Sequence, residues 1–158
     1  MAKYAVVELN KVASRKTGEI EAQCKLNSGI DTLQNGEIVY VDAVNNEITK
    51  TYDASTCVDA MYLHFSNPRR YEDGKSGMEN FVYENNEKYL PRVYKLTVGD
   101  IFTTNYDLSK KDGSLIEEVP EGNTPINFGS HKIVAIKENS ANGTLPNNGV
   151  GVMYRVIA

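Results

Sequence analysis

Gln34-Asn35-Gly36-Glu37-Ile38-Val39-Tyr40-Val41-Asp42-Ala43-Val44-Asn45-Asn46-Glu47-Ile48-Thr49-Lys50-Thr51-Tyr52 is the stretch that decides the fold. Asn35-Gly36 is a strong turn signal, because both residues tolerate the positive φ that a tight turn demands. Glu37 to Val41 is apolar and partly β-branched, which favours a strand over a helix. Asn45-Asn46 marks a second turn, and Glu47 to Tyr52 alternates polar with apolar positions, the period of a half-buried strand. Strand, Asn-rich turn, strand is the pattern of a β-meander.

Working outward, the same grammar recurs. On the N-terminal side, Glu19-Ile20-Glu21-Ala22-Gln23-Cys24-Lys25-Leu26 alternates with period two. One strand is therefore expected there, with Ile20, Ala22, Cys24 and Leu26 on a buried face. Tyr4 to Leu9 reads as an earlier strand, and Lys11 to Gly18 as a turn. On the C-terminal side, strands are expected around Asp59–Phe65, Phe81–Tyr83, Ile101–Thr104, His131–Lys137 and Val150–Ile157, with Leu90–Val98 leading to the turn at Gly99-Asp100. Ser66 to Gly77 is loop-like, Asn127-Phe128-Gly129 reads as punctuation, and Glu138 to Gly149 as a polar loop. A short helix has room only at Asp53–Tyr62 or Leu108–Lys111. Asn35-Gly36-Glu37-Ile38-Val39 is echoed by Val98-Gly99-Asp100-Ile101-Phe102. That echo could mark two equivalent corners of a barrel, although the simpler reading is that turns before strands look alike. Many short strands between turn signals point to a mainly β single domain over residues 1–158. The expected architecture is a β-barrel, β-tulip or sandwich with long polar loops and little helix.

The chain has 158 residues, a usual size for one domain, and buries enough surface to need no metal or disulfide staple. Its 41% hydrophobic and 24% charged residues are ordinary globular values. A net charge of -4 argues against nucleic-acid binding, which leaves a basic footprint. Lys3, Lys11, Arg15, Lys16 and Lys25 outweigh Glu8, Glu19 and Glu21 in residues 1–25. That segment is read either as a solvated strand and turn or as a basic arm that docks on an acidic surface. Met1-Ala2-Lys3-Tyr4 opens no apolar signal region, and no apolar run approaches a membrane span, so a cytoplasmic origin with reduced Cys24 and Cys57 is expected.

No constellation of catalytic residues is legible. His64 and His131 are the only histidines, and neither has an acid or cysteine at metal-ligand spacing. His64, between Tyr62-Leu63 and Phe65, reads as a satisfied, partly buried histidine. No nucleophile elbow accompanies His131, and Gly149-Val150-Gly151 is only a fragment of a phosphate loop. Acid pairs such as Glu117-Glu118 and Glu72-Asp73 read as solvated charge. The expectation is no enzyme, no cofactor and no metal.

Aromatic residues carry the best hint of a partner. Seven of the ten tyrosines fall between residues 52 and 106, and Pro68-Arg69-Arg70-Tyr71 lies within that stretch. Tyr and Arg are enriched at protein–protein hot spots because each joins a large contact area to a polar tip. Arg69, Arg70 and Tyr71 are therefore the candidate partner-binding residues, against the plainer reading that tyrosine suits strands with one wet side.

Four segments add a resemblance. Tyr4 to Arg15, Gly18 to Gln23, Gln34 to Val39 and Lys95 to Asn105 resemble small head proteins of tailed bacteriophages that decorate or cement the capsid. The resemblance implies a compact β domain that binds the major capsid protein between subunits on the outer lattice and stabilises the head. It also implies contact with copies of itself, often as a trimer, and a location on the virion after synthesis in the host cytoplasm. It carries no site residue across. The alternatives are another β-rich virion component (tail tube, connector or fibre module) or a carbohydrate-binding host-attachment module.

Overall fold

Ile38-Val39-Tyr40-Val41 offers no polar position, and the structure shows why: this strand is buried on both faces. The computed structural model describes residues 19–66, 82–85, 90–105, 110–111, 114–115, 124–138, 144–145 and 149–158. Strands β1 (Ile20–Glu21), β2 (Lys25–Leu26), β3 (Thr32–Gln34), β4 (Ile38–Asp42), β5 (Glu47–Thr49), β6 (Met61–His64), β7 (Val82–Glu84) and β8 (Val93–Leu96) make the N-terminal half. Strands β9 (Ile101–Asn105), β10 (Lys110–Lys111), β11 (Ser114–Leu115), β12 (Ile126–Phe128), β13 (His131–Glu138), β14 (Thr144–Leu145) and β15 (Gly149–Val156) follow. The protein is mainly β, the described residues contain no helix, and the layers are sandwich-like with no closed barrel.

One sheet runs β1-β8-β6-β4-β5-β2 and a second runs β12-β13-β15 with β9 and β14 both on β15. Alternation sorts the side chains of the first sheet into two cores. Ile38, Tyr40, Met61, Leu63, Phe65 and Leu96 meet Phe102, Phe128, Ile133, Tyr154 and Val156 of the second sheet. Val39, Val41, Tyr62 and Val93 face the other way, against Cys24, Leu26, Leu33, Ile48 and Tyr83. Each apolar side chain of this size contributes roughly 1.5–3 kcal/mol when fully buried. The first sheet is thus a middle layer, which explains a continuous apolar run in an antiparallel setting where alternation is the norm.

The β4–β5 meander is present, with register Tyr40↔Thr49 to Asp42↔Glu47. Its turn is built by Asp42, whose carboxylate accepts from the amides of Val44 and Asn45, while Asn46 takes a positive φ of 57°. The expected single strand over Glu19–Leu26 is instead two strands. β1 pairs antiparallel with β8 at one edge, and β2 pairs parallel with β5 at the other. Only Ala22-Gln23-Cys24 lies between them, so the sheet must curl until its two edges come within the short reach of three residues. Ile20 is therefore exposed, while Cys24 and Leu26 are buried. Three further expectations change. Ile126–Phe128 is a core strand rather than punctuation. Asp53–Cys57 makes one turn, closed by the Cys57 amide on the Asp53 carbonyl, before strand β6 begins. Lys110–Lys111 is strand, not helix.

The sequence echo proves geometrical. At the first corner, the Gln34 amide donates to Glu37 Oε2 at 2.7 Å and the Glu37 amide returns to the Gln34 carbonyl at 3.3 Å. At the second, the Thr97 amide donates to Asp100 Oδ2 at 2.8 Å and the Asp100 amide returns to the Thr97 carbonyl at 3.0 Å. Gly36 (φ 90°) donates to the His64 carbonyl and Gly99 (φ 96°) to that of Val156. His64 and Val156 then donate to the carbonyls of Glu37 and Asp100. Both are type II-like turns in which the third position needs φ above zero, hence glycine. Neither is a hairpin: β3 pairs with β7, while β4 pairs with β5 and β6.

Candidate functional site

The first corner is also the densest polar knot among the described residues. Asn35 is fully buried, and its amide group clasps the Ser66 backbone by accepting from the Ser66 amide at 2.9 Å and donating to its carbonyl at 3.2 Å. His64 lies within 2.8 Å of the Gln34 carbonyl through Nδ1, so Nδ1 carries the proton and Nε2 is the acceptor. The Ser66 hydroxyl then donates to Nε2 at 2.9 Å and accepts from the Arg92 amide at 2.9 Å. Burial pushes the His64 pKa down from 6.5 to about 4. Glu37, 2% exposed, adds an ion pair with Lys50 at 3.2 Å. The imidazole has both nitrogens engaged, on the Gln34 carbonyl and the Ser66 hydroxyl, and is neutral at pH 7. Such a histidine fixes geometry and offers no free base.

The knot has a positional consequence. Ser66 is held by Asn35, and Val82 pairs with Gln34, so the residues flanking 67–81 are anchored at one corner. The candidate partner-binding residues Arg69, Arg70 and Tyr71 belong to that segment and lie outside the described residues.

A second cluster joins the two sheets. The Ser130 hydroxyl and the Tyr52 hydroxyl both donate to Asp59 Oδ1, and His131 Nε2 lies 3.4 Å from the same oxygen without hydrogen-bond geometry. The Ser130 hydroxyl, chiefly, holds the Asp59 carboxyl below its ordinary range. Ser, His and Asp are thus neighbours, but in the wrong order for nucleophilic catalysis. The serine gives its proton to the carboxylate, whereas an activated serine gives it to the imidazole. Gly129 (φ 60°) sits against the Tyr52 ring so closely that a Cβ there would lie 2.7 Å from Tyr52 Cγ. The arrangement is a clasp between the β5–β6 connection and the β12–β13 turn.

Cys24 is buried and its thiol is pushed up to about 11, by burial first and by Glu21 second. Its Sγ donates to Asn46 Oδ1 at 3.2 Å. A thiol so placed is protonated at neutral pH and inert. Among the described residues no group of three or more His, Cys, Asp or Glu could hold a metal ion, and no helix is long and apolar enough to cross a membrane.

Sequence reading missed the polar knot and the clasp. His64 carried a legible signal in its apolar neighbours. Asn35 carried a misleading one, since Asn-Gly reads as an exposed turn although the asparagine is buried 31 residues from its partner Ser66. No protein-family profile, curated protein or solved structure matches this chain.

Proposed function

We propose that this chain is a non-enzymatic structural protein of a virus particle, which docks on the outer capsid lattice of a tailed-phage head and stabilises the shell. The observation that carries the reading is where the buried polar chemistry goes. Glu37, His64 and Asp100 are each committed to backbone groups of a corner. A rigid β scaffold whose buried ionisable groups, among the described residues, are spent on its own frame acts through its surface. The four resembling segments supply the location, and two of them, Gln34–Val39 and Lys95–Asn105, contain the matched corners. Repetition over a lattice lets many modest contacts replace one deep pocket. The major capsid protein is the proposed partner.

The test is co-sedimentation of the purified protein with mature heads assembled from the capsid protein of the same genome. Saturable pelleting at a fixed ratio to capsid subunits is the expected result. A protein that stays in the supernatant at every concentration overturns the proposal and directs attention to tails and host glycans.

A further inference from the structure

Register decides which side chains of the second sheet face away from its core. Ile133 pairs with Val156 and Ala135 with Tyr154, all four buried. The intervening positions Lys132, Val134 and Arg155 therefore lie on the opposite face. Three backbone hydrogen bonds between Lys132 and the Ile157–Ala158 end extend this pairing and put Ile157 on that face too. A register shift between Ala135 and Lys137 sets Ile136 beside it as an exposed residue. Val98 adjoins Ile157, because the Val98–Gly99 peptide is bonded to the Val156 carbonyl. Three of the seven exposed large hydrophobic residues among the described residues, Val98 (57%), Ile136 (39%) and Ile157 (41%), thus gather on one face and its rim.

The charges of this face are as uneven as its polarity. On the first sheet, Lys25, Lys50 and Lys95 each pair with a glutamate: Glu47, Glu37 and Glu19. Among the described residues, Lys132 and Arg155 are exposed without an ion pair, and no acidic residue falls on this face. Unneutralised cations beside apolar side chains suit an anionic partner with an apolar centre. Self-pairing of the face about a two-fold axis would bring like charges together. The matched corners sharpen the contrast. Position 35 of the first corner is fully buried, clasping Ser66, whereas the equivalent Val98 stands open.

We infer that the outward face of β13 and of the C-terminal end of β15, marked by Val98, Lys132, Val134, Ile136, Arg155 and Ile157, docks on an acidic protein surface with an apolar centre; the β9 side of the sheet, where Thr103 is buried on this face, is not part of it. The inference rests on the reading above, that the protein works by docking on a larger protein assembly. It names the face that docks and the chemistry that it meets.

The experiment compares wild type, Lys132→Gln/Arg155→Gln and a control, Ser28→Glu/Thr51→Glu, which changes net charge equally at exposed positions of the other half. Each is sedimented with heads and, separately, titrated by amide NMR with a short synthetic peptide alternating glutamate and leucine. Expected are head binding weakened about tenfold or more in the Gln variant alone, and peptide-induced shifts confined to β13, β15 and Val98. Equal pelleting of the Gln variant and wild type overturns the face and keeps the capsid role. A wild type that never pellets overturns the capsid role. In that case the peptide judges the face: shifts on β13 and β15 support it, and shifts elsewhere or none overturn it. Self-association of wild type that Ile157→Ser abolishes overturns the acidic partner in favour of a second copy.

Discussion

Lowering the pH from 7 to 5 perturbs one described buried group above all, the His64 imidazole. Its folded pKa of about 4 lies below the ordinary 6.5. The unfolded chain therefore binds the proton first, and stability falls as pH drops from 6.5 towards 4. Below about 4 both states are protonated and the loss is complete. A difference of about two and a half in pKa, at 1.36 kcal/mol for each, amounts to about 3 kcal/mol in all, of which about 2 kcal/mol is lost by pH 5. Burial is the largest cause, and Lys50 works in the same direction against the opposing pull of Gln34 and Glu37. The structural reason is the acceptor role of Nε2. A proton there sets two donors, the imidazolium and the Ser66 hydroxyl, against each other at the centre of the knot.

Urea unfolding at fixed temperature from pH 7 to 5 reads this directly. Asp42, Asp53 and Asp59 have lowered pKa values and stay ionised in both states above pH 5, so their losses come at lower pH. His131 is common to wild type and the His64→Gln variant, and cancels in the comparison. The variant is expected to be less stable at pH 7 but nearly level between pH 7 and 5, whereas wild type declines by about 2 kcal/mol. Equal slopes for the two proteins would refute the assignment of a neutral, buried His64.

Gly36→Ala and Gly99→Ala each force a side chain into positive φ and should cost about 1–3 kcal/mol by urea unfolding; comparable losses are expected, since the two turns share their hydrogen bonds, and a cost at one alone would break the equivalence. Gly129→Ala adds the Tyr52 contact to a φ of 60° and should cost at least as much, with relief on Tyr52→Ala; additive losses would show that the ring does not press on the glycine. Under native conditions a thiol reagent should label half-buried Cys57 well before Cys24; prompt labelling of Cys24 would refute its burial beside Asn46.

The strand content was legible because periodicity and turn residues are local. β4, β5, β6, β9, β13 and β15 all lie within the expected runs to a residue or two. What failed was pairing. Period two in Glu19–Leu26 holds in the burial of Cys24 and Leu26 but not of Ile20, because nothing local says that the two halves of the run join opposite edges of one sheet. Thr144–Leu145 was hidden in a polar loop, because a two-residue strand carries no period. The site was legible in the same degree. His64 announced itself by its apolar neighbours, whereas Asn35, Ser66 and Arg92 meet only because β6 lies between β4 and β8.

The matched corners explain why so short an echo could matter. A chain leaving one strand pairing for another strands an amide that neither ladder satisfies, and a buried amide without a partner costs about 1–3 kcal/mol. An acid three residues on accepts from it, and glycine supplies the positive φ that brings the acid into reach. Only these two positions are constrained, so the repeat shows in sequence as little more than Gly-Glu-Ile and Gly-Asp-Ile. The residue before the glycine is free to differ, and there the halves diverge. Asn35 turns inward to seal the chain at Ser66, while Val98 is left on the surface beside Ile157. One frame device is thus used twice, closed on the protein itself at the first corner and left open at the surface at the second.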